Sequence, residues 1–91
     1  MPTHRSPTHP GEILREEVLR PAGITQRAFA ERLGIPPRQL SALLHSKLSV
    51  SPDLALRLSR ELDTTPDLWL NLQGSWDLWH AKRRQVQRND Q

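Results

Sequence analysis

Apolar residues fall in five groups along this chain, each at helical three- and four-residue spacing and each opened by a helix-start signal. The first group is Ile13, Leu14 and Val18. It starts near His9-Pro10, with Pro10 at the first helical position and Glu12 in the first turn, and Pro21 and Gly23 stop it. Ile24 then enters the core ahead of Thr25, whose hydroxyl can cap a second helix carrying Phe29, Ala30 and Leu33. Gly34 can take the left-handed conformation that ends this helix, and Ile35 returns to the core. Pro36 and Pro37 restart the chain for a third helix with Leu40, Leu43 and Leu44 buried. After the polar turn His45-Ser46-Lys47 comes a fourth start, Ser51-Pro52-Asp53, with a stripe of Leu54, Ala55, Leu58 and Leu62 that ends at Asp63 and Thr64. Thr65-Pro66-Asp67-Leu68 repeats that start signal at once and opens a fifth helix reaching to about Arg83. The pattern predicts an all-α fold, a five-helix bundle with an extended C-terminal helix.

The fifth helix has more apolar surface than its own bundle needs. Leu68, Trp69, Leu72, Trp76 and Trp79 fall in one broad stripe, and Leu70, Leu78 and Ala81 on another side. One face is expected to cover the core. The other is expected to meet a second copy, with Leu70, Trp76, Leu78 and Ala81 as the candidate homodimer interface; a wider core contact is the plainer alternative. Gly74, inside this helix, either permits close packing or marks a kink.

At 91 residues the chain makes one domain with a modest core. Residues 1–8 read as a flexible arm carrying Arg5, residues 9–83 as the folded unit, and residues 84–91 as a flexible basic tail that continues from Lys82 and Arg83 through Arg84 and Arg88. A formal charge of +3 favours an acidic partner such as nucleic acid, although mild basicity alone also serves solubility. With no cysteine there is neither a disulfide nor a thiolate metal site, which suits a cytoplasmic protein. No apolar run is long enough to span a membrane, and the start does not read as a signal peptide.

Catalytic chemistry is not visible. Of the four histidines, only His80 has a partner at metal-ligand spacing, Asp77, and two ligands are too few. Glu16 and Glu17 are adjacent, so on a helix they diverge and cannot work as a general acid/base pair. No Gly-rich phosphate loop is present. The chain reads as a non-enzyme with no cofactor, no metal and no small-molecule substrate.

The segment 25–44 decides more. Gln26 opening a helix, then Phe29, the small Ala30, Leu33, Gly34 with Ile35 in the turn, and Leu40 and Leu43 in the next helix resemble the helix-turn-helix of the Cro/repressor (XRE) family. The resemblance implies that the third helix of the chain lies in the DNA major groove and the second crosses the backbone. It places Arg38, Gln39, Ser41 and Ala42 near base edges and Gln26 and Arg27 near phosphates; Pro37, His45 and Lys47 complete the candidate DNA-binding set. The chemistry agrees: Arg can bond two guanine acceptors, Gln can pair with adenine, and Ala can touch a thymine methyl. Pro36 and Pro37 depart from the family, which often has Ser or Thr there, so base readout rests on fewer side chains.

The flanks narrow the resemblance. His9-Pro10-Gly11-Glu12-Ile13-Leu14 with Glu16-Glu17, then Ala55-Leu56-Arg57-Leu58-Ser59, then Trp69-Leu70-Asn71-Leu72-Gln73 with Trp76-Asp77-Leu78 look like the HigA/VapI-type antitoxins across roughly residues 9–81. That resemblance implies a homodimer that neutralises a HigB-type toxin, an mRNA-cleaving ribonuclease of the RelE group. It also implies repression of the toxin–antitoxin operon through double-stranded operator DNA with an inverted repeat. Arg15, Glu16 and Glu17, together with the N-terminal arm, are the candidate toxin contacts, because an acidic pair suits a basic RNA-binding surface. Two other readings stay open: a toxin-binding protein that does not bind DNA, and an ordinary XRE-family regulator without a toxin partner.

Overall fold

The structure, a computed structural model, describes residues 6–89, with side chains as far as Val86. Arg5 lies outside the described residues. The architecture is all-α, and the described residues contain no strand. Helix α1 is continuous over residues 10–22 but changes register: α-helical at Pro10–Ile13, π-helical at Leu14–Leu19, α-helical again at Arg20–Ala22. It is followed by α2 (Gln26–Leu33), α3 (Pro37–Leu44), α4 (Pro52–Leu62) and α5 (Pro66–Asn89).

The capping chemistry fixes most boundaries. Thr25 Oγ1 accepts the Ala28 N–H at 3.1 Å, and Ser51 Oγ accepts that of Leu54 at 3.2 Å. Helices α1 to α4 all end on a residue with positive φ close behind them, Gly23, Gly34, Ser46 and Asp63. The following N–H then reaches back five residues, as in Ile35 to Ala30 at 3.1 Å and Lys47 to Ala42 at 2.8 Å. Only at Gly34 does the turn need glycine twice over: φ is +74°, and a Cβ would also press on the Arg57 guanidinium.

The core gathers Leu14, Leu19, Phe29, Ala30, Leu33, Leu40, Leu43, Leu44, Val50, Leu54, Ala55, Leu58 and Trp69. In α1 the buried pair is Leu14 and Leu19, while Val18 is half-buried. Helical spacing alone favours Val18. The π turn adds a residue, the Arg20 N–H reaching the Arg15 carbonyl, and so brings Leu19 beneath Leu14.

Helix α5 does not end near Arg83. It continues through Arg84 to Asn89, where the polarity of the sequence suggests a tail. After Gly74 there is neither Gly nor Pro to stop it, and basic side chains toward a C-terminus complement the helix dipole. Trp69 is buried and donates its indole N–H to Thr64 Oγ1 at 2.7 Å. Gln73, also buried, accepts the Val50 N–H at 2.9 Å and donates to Asp77 at 2.9 Å. Gly74 faces open space, with nothing near its missing Cβ, inside one unbroken helix.

Candidate nucleic-acid interface

Helix α3 turns Leu40, Leu43 and Leu44 fully into the core. Opposite them, at steps of four and three, stand Arg38, Ala42 and His45, with Ser41 and Gln39 on the two flanks. Arg38 and His45 are exposed, while Gln39, Ser41 and Ala42 are half-covered. Pro37 is also exposed and occupies the first helical position behind Pro36, which adopts φ −63°, ψ 143° and offers no side-chain cap. Among the described hydrogen bonds and ion pairs, Arg38 makes none, so its guanidinium is free to extend. His45 is oriented by its own helix: Nδ1–H donates to the Ser41 carbonyl at 2.8 Å, which leaves Nε2 for solvent. Lys47 follows the turn and is exposed. Gln26 and Arg27 are exposed at the start of α2. The sequence-predicted DNA set therefore lies on α3, the turn behind it and the first turn of α2.

The end of α3 rests on α1. Gly11 lies so close to the Leu43 carbonyl that no side chain fits between them. One turn further, Arg15 Nη1 donates to the Leu44 carbonyl at 2.6 Å. Arg15 is itself held by Glu16 Oε2 at 2.9 Å, and Glu16 Oε1 meets Arg20 at 2.7 Å. The hydrogen bond from Arg15, with Arg20 in support, keeps the Glu16 carboxyl below the usual carboxylate range. Of the three candidate toxin contacts, Arg15 and Glu16 are thus committed within the protomer. Glu17 is exposed and takes no part in the described ion pairs.

Other residues with a structural job carry no plain signal in the sequence. Arg57 donates to the Leu33 carbonyl at 2.9 Å and the Gly34 carbonyl at 3.2 Å, closing the end of α2 much as Arg15 closes that of α3. Its pairing with Asp53 at 2.9 Å follows the i, i+4 rule, but the reach across to α2 does not. His9 is buried and accepts the Gly11 N–H through Nδ1 at 2.9 Å, which caps α1. Burial pushes its imidazole below the ordinary histidine value, against the opposing pull of Asp77 and Glu12.

The candidate dimer residues separate. Trp76 packs within the protomer, edge-on to His9 at 4.9 Å and tilted over His80 at 3.9 Å between ring centroids. That removes it from the outer face, because α5 presents Trp69, Gln73, Trp76 and His80 to the bundle at steps of four and three. Leu70 is half-buried against the core, and Leu78 stands 56% exposed. Leu78, Ala81, Lys82, Gln85 and Val86 line a shallow open groove of about 410 Å³. Asp77 and His80, the pair at metal spacing on α5, are turned to other uses, Asp77 accepting from Gln73 and His80 packing on Trp76. No group of three or more potential ligands lies among the described residues, and no helix there is long and apolar enough to cross a membrane.

The helix-turn-helix family model matches residues 14–69, more than half of the chain. Antitoxin HigA-1 of Vibrio cholerae is 39% identical over 82 residues, spanning 90% of this chain and 77% of the relative. The chain belongs to the HigA-type helix-turn-helix antitoxins. Two solved HigA-type structures share its fold closely. Antitoxin GraA, in complex with its operator, superposes with a TM-score of 0.84 at 42% identity and covers 97% of this chain and 89% of its own. Pseudomonas aeruginosa antitoxin HigA, with the higBA promoter, gives 0.85 at 34% identity over 90% and 89%. The HigA-type family is one of antitoxins and transcription regulators rather than of enzymes, in keeping with the absence of a catalytic constellation in the sequence.

Proposed function

We propose that this antitoxin acts in the cytoplasm as a homodimer that reads an inverted-repeat operator with α3, represses its own operon, and neutralises a HigB-type mRNA-cleaving toxin. The observation that carries the DNA half is the outer face of α3, where Arg38, Ala42 and His45 line up opposite three fully buried leucines. On this reading Arg38, Gln39, Ser41, Ala42 and His45 face base edges, and Gln26, Arg27, Pro37 and Lys47 lie along the phosphates. A helix start favours a phosphate through its free N–H groups and positive end. The second copy docks on the outer face of α5, centred on Leu78 and Ala81 beside Leu70. Residues 9–83 carry these functions. The toxin meets the outer edge of α1, where Glu17 is the exposed member of Arg15, Glu16 and Glu17.

The test is binding to the DNA upstream of the gene, with co-expression of the neighbouring ribonuclease to score neutralisation. Arg38→Ala is expected to cost about 1–3 kcal/mol on the operator and to relax preference at one base pair per half-site. Lys47→Ala is expected to weaken all DNA alike and to make the salt dependence shallower by roughly one unit. If Arg38→Ala weakens every sequence equally, Arg38 is a backbone clamp and readout passes to Gln39, Ser41 and Ala42. The two prolines at the start of α3, which offer no polar cap, favour one second reading: a toxin neutraliser that does not read DNA. Neutralisation without any operator preference would establish that reading instead.

A further inference from the structure

The last carbonyls of a helix have no partner within it and must find one elsewhere. In α3 three of them are met by the turn that follows. Ser41 O takes the His45 N–H at 3.1 Å, Leu43 O takes that of Ser46 at 3.0 Å, and Ala42 O takes that of Lys47 at 2.8 Å. Leu44 O is met from another helix, by Arg15 at 2.6 Å. Arg15 is not a loose arm, because Glu16 holds its Nε and Arg20 holds Glu16 from the far side. All three residues belong to the π turn or the step just after it, where the Arg20 N–H bonds the Arg15 carbonyl and the Arg20 guanidinium pairs with Glu16.

We propose that Arg15 is a positioning residue for base readout, setting the direction of α3 by fixing its C-terminal end against α1. The proposal rests on the DNA-binding reading given above. Two neighbouring carbonyls of α3, those of Leu43 and Leu44, are supported by Gly11 and Arg15, one turn apart on α1. The buried leucines hold α3 in place, and these two anchors at its C-terminal end limit how far its axis can tilt on them. Without the guanidinium the leucines stay buried and the helix stays folded, but one of the two anchors is gone and the axis can tilt further. Arg38, at the opposite end of the helix, moves most in such a tilt. Base contacts depend on that direction far more than phosphate contacts do, since a bidentate pair with a base has a narrow geometry.

The experiment uses the full chain and a duplex selected by the wild-type protein from random sequences, with its single-base variants, at several salt concentrations. Arg15→Ala is expected to bind the selected duplex about tenfold more weakly, the scale of one base contact put out of place. Its discrimination against the single-base variants should fall by a similar factor. The salt dependence should stay as in the wild type, because no phosphate contact is lost. Arg15→Lys should recover most of the discrimination, since an ammonium can still reach one carbonyl. Glu16→Gln, which loosens the clamp but leaves Arg15 in place, should give a smaller loss of the same kind. Should Arg15→Ala not fold, the contrast between Arg15→Lys and Glu16→Gln decides. Wild-type discrimination in Arg15→Ala, or in Glu16→Gln where that contrast has to serve, would overturn this proposal alone. So would a shallower salt dependence in Arg15→Ala, which would make Arg15 a phosphate contact. No sequence preference in the wild-type protein would overturn the DNA-binding reading, and this proposal with it.

Discussion

Gly11 and His9 carry the most consequence per atom in this fold. A methyl group at Gly11 would overlap the Leu43 carbonyl oxygen, which belongs to a backbone that is packed and capped and cannot yield cheaply. Gly11→Ala is therefore expected to destabilise by roughly 1–3 kcal/mol, as overpacking does, measured as a lower urea midpoint with unchanged slope. His9 gives a pH dependence. Its Nδ1 must be unprotonated to accept the Gly11 N–H, and burial lowers its pKa in the folded state. As pH falls the unfolded chain takes up the proton first. The stabilisation is thus intact above about 6.5, the unfolded value, and is lost as pH falls through the lower folded one. His9→Asn keeps a capping oxygen without the titration, so its urea midpoint should change less between pH 7.5 and pH 5 than that of the wild type. An equal change in both proteins would assign the acid sensitivity to carboxylates. The start of α1 at Pro10 was legible in His9-Pro10, but the capping role of His9 was not. Nor was its burial, because that depends on Trp76 arriving from the other end of the chain.

The helices themselves were largely legible. Thr25 and Ser51 cap where their spacing to the first apolar residue says they should, and Pro37, Pro52 and Pro66 sit at first positions. Two features escaped the pattern for physical reasons. The π turn in α1 was hidden because Val18 and Leu19 are both apolar, and only packing against Leu14 chooses between them. The last turns of α5 were hidden because their composition is polar, while helix continuation needs only the absence of a breaker. Arg15, Arg57 and Gln73 act across elements, satisfying backbone groups far away in sequence, and no local spacing announces that. Gly74 supplies a test at this scale. An exposed helical Gly costs about 1 kcal/mol relative to Ala, so Gly74→Ala should raise the melting temperature of a monomeric background. If the outer face of α5 meets a second copy, the same change should weaken the dimer in the wild-type background. Stabilisation of both forms alike would place Gly74 outside the interface.

For the molecule as a whole, the deciding question is how two copies meet. The protomer extends 47 × 28 × 21 Å, and Leu78 and Val86 remain exposed on the projecting helix at 56% and 61%. Leu78→Glu is expected to give a folded monomer, with half the wild-type mass by light scattering. Its operator affinity should fall because the half-sites are no longer engaged together. In the wild type the two reading helices should bind half-sites roughly 34 Å apart. An unchanged mass for Leu78→Glu would move the interface to another surface. The sequence pointed to a surplus apolar face on α5 but overstated it, since Trp76 and Leu70 are largely spent inside the protomer and Leu78 is left as its centre.

The stacking of Trp76 between His9 and His80 makes that indole an optical reporter on the junction of α1 and α5. A protonated imidazole quenches a neighbouring indole, whereas a neutral one does so weakly. With Trp69 and Trp79 replaced by Phe, the emission of Trp76 would follow the charge on His9, which meets it edge-on. A toxin arriving on α1, or a second copy arriving on α5, would then announce itself as a change in brightness, with no label added to the chain.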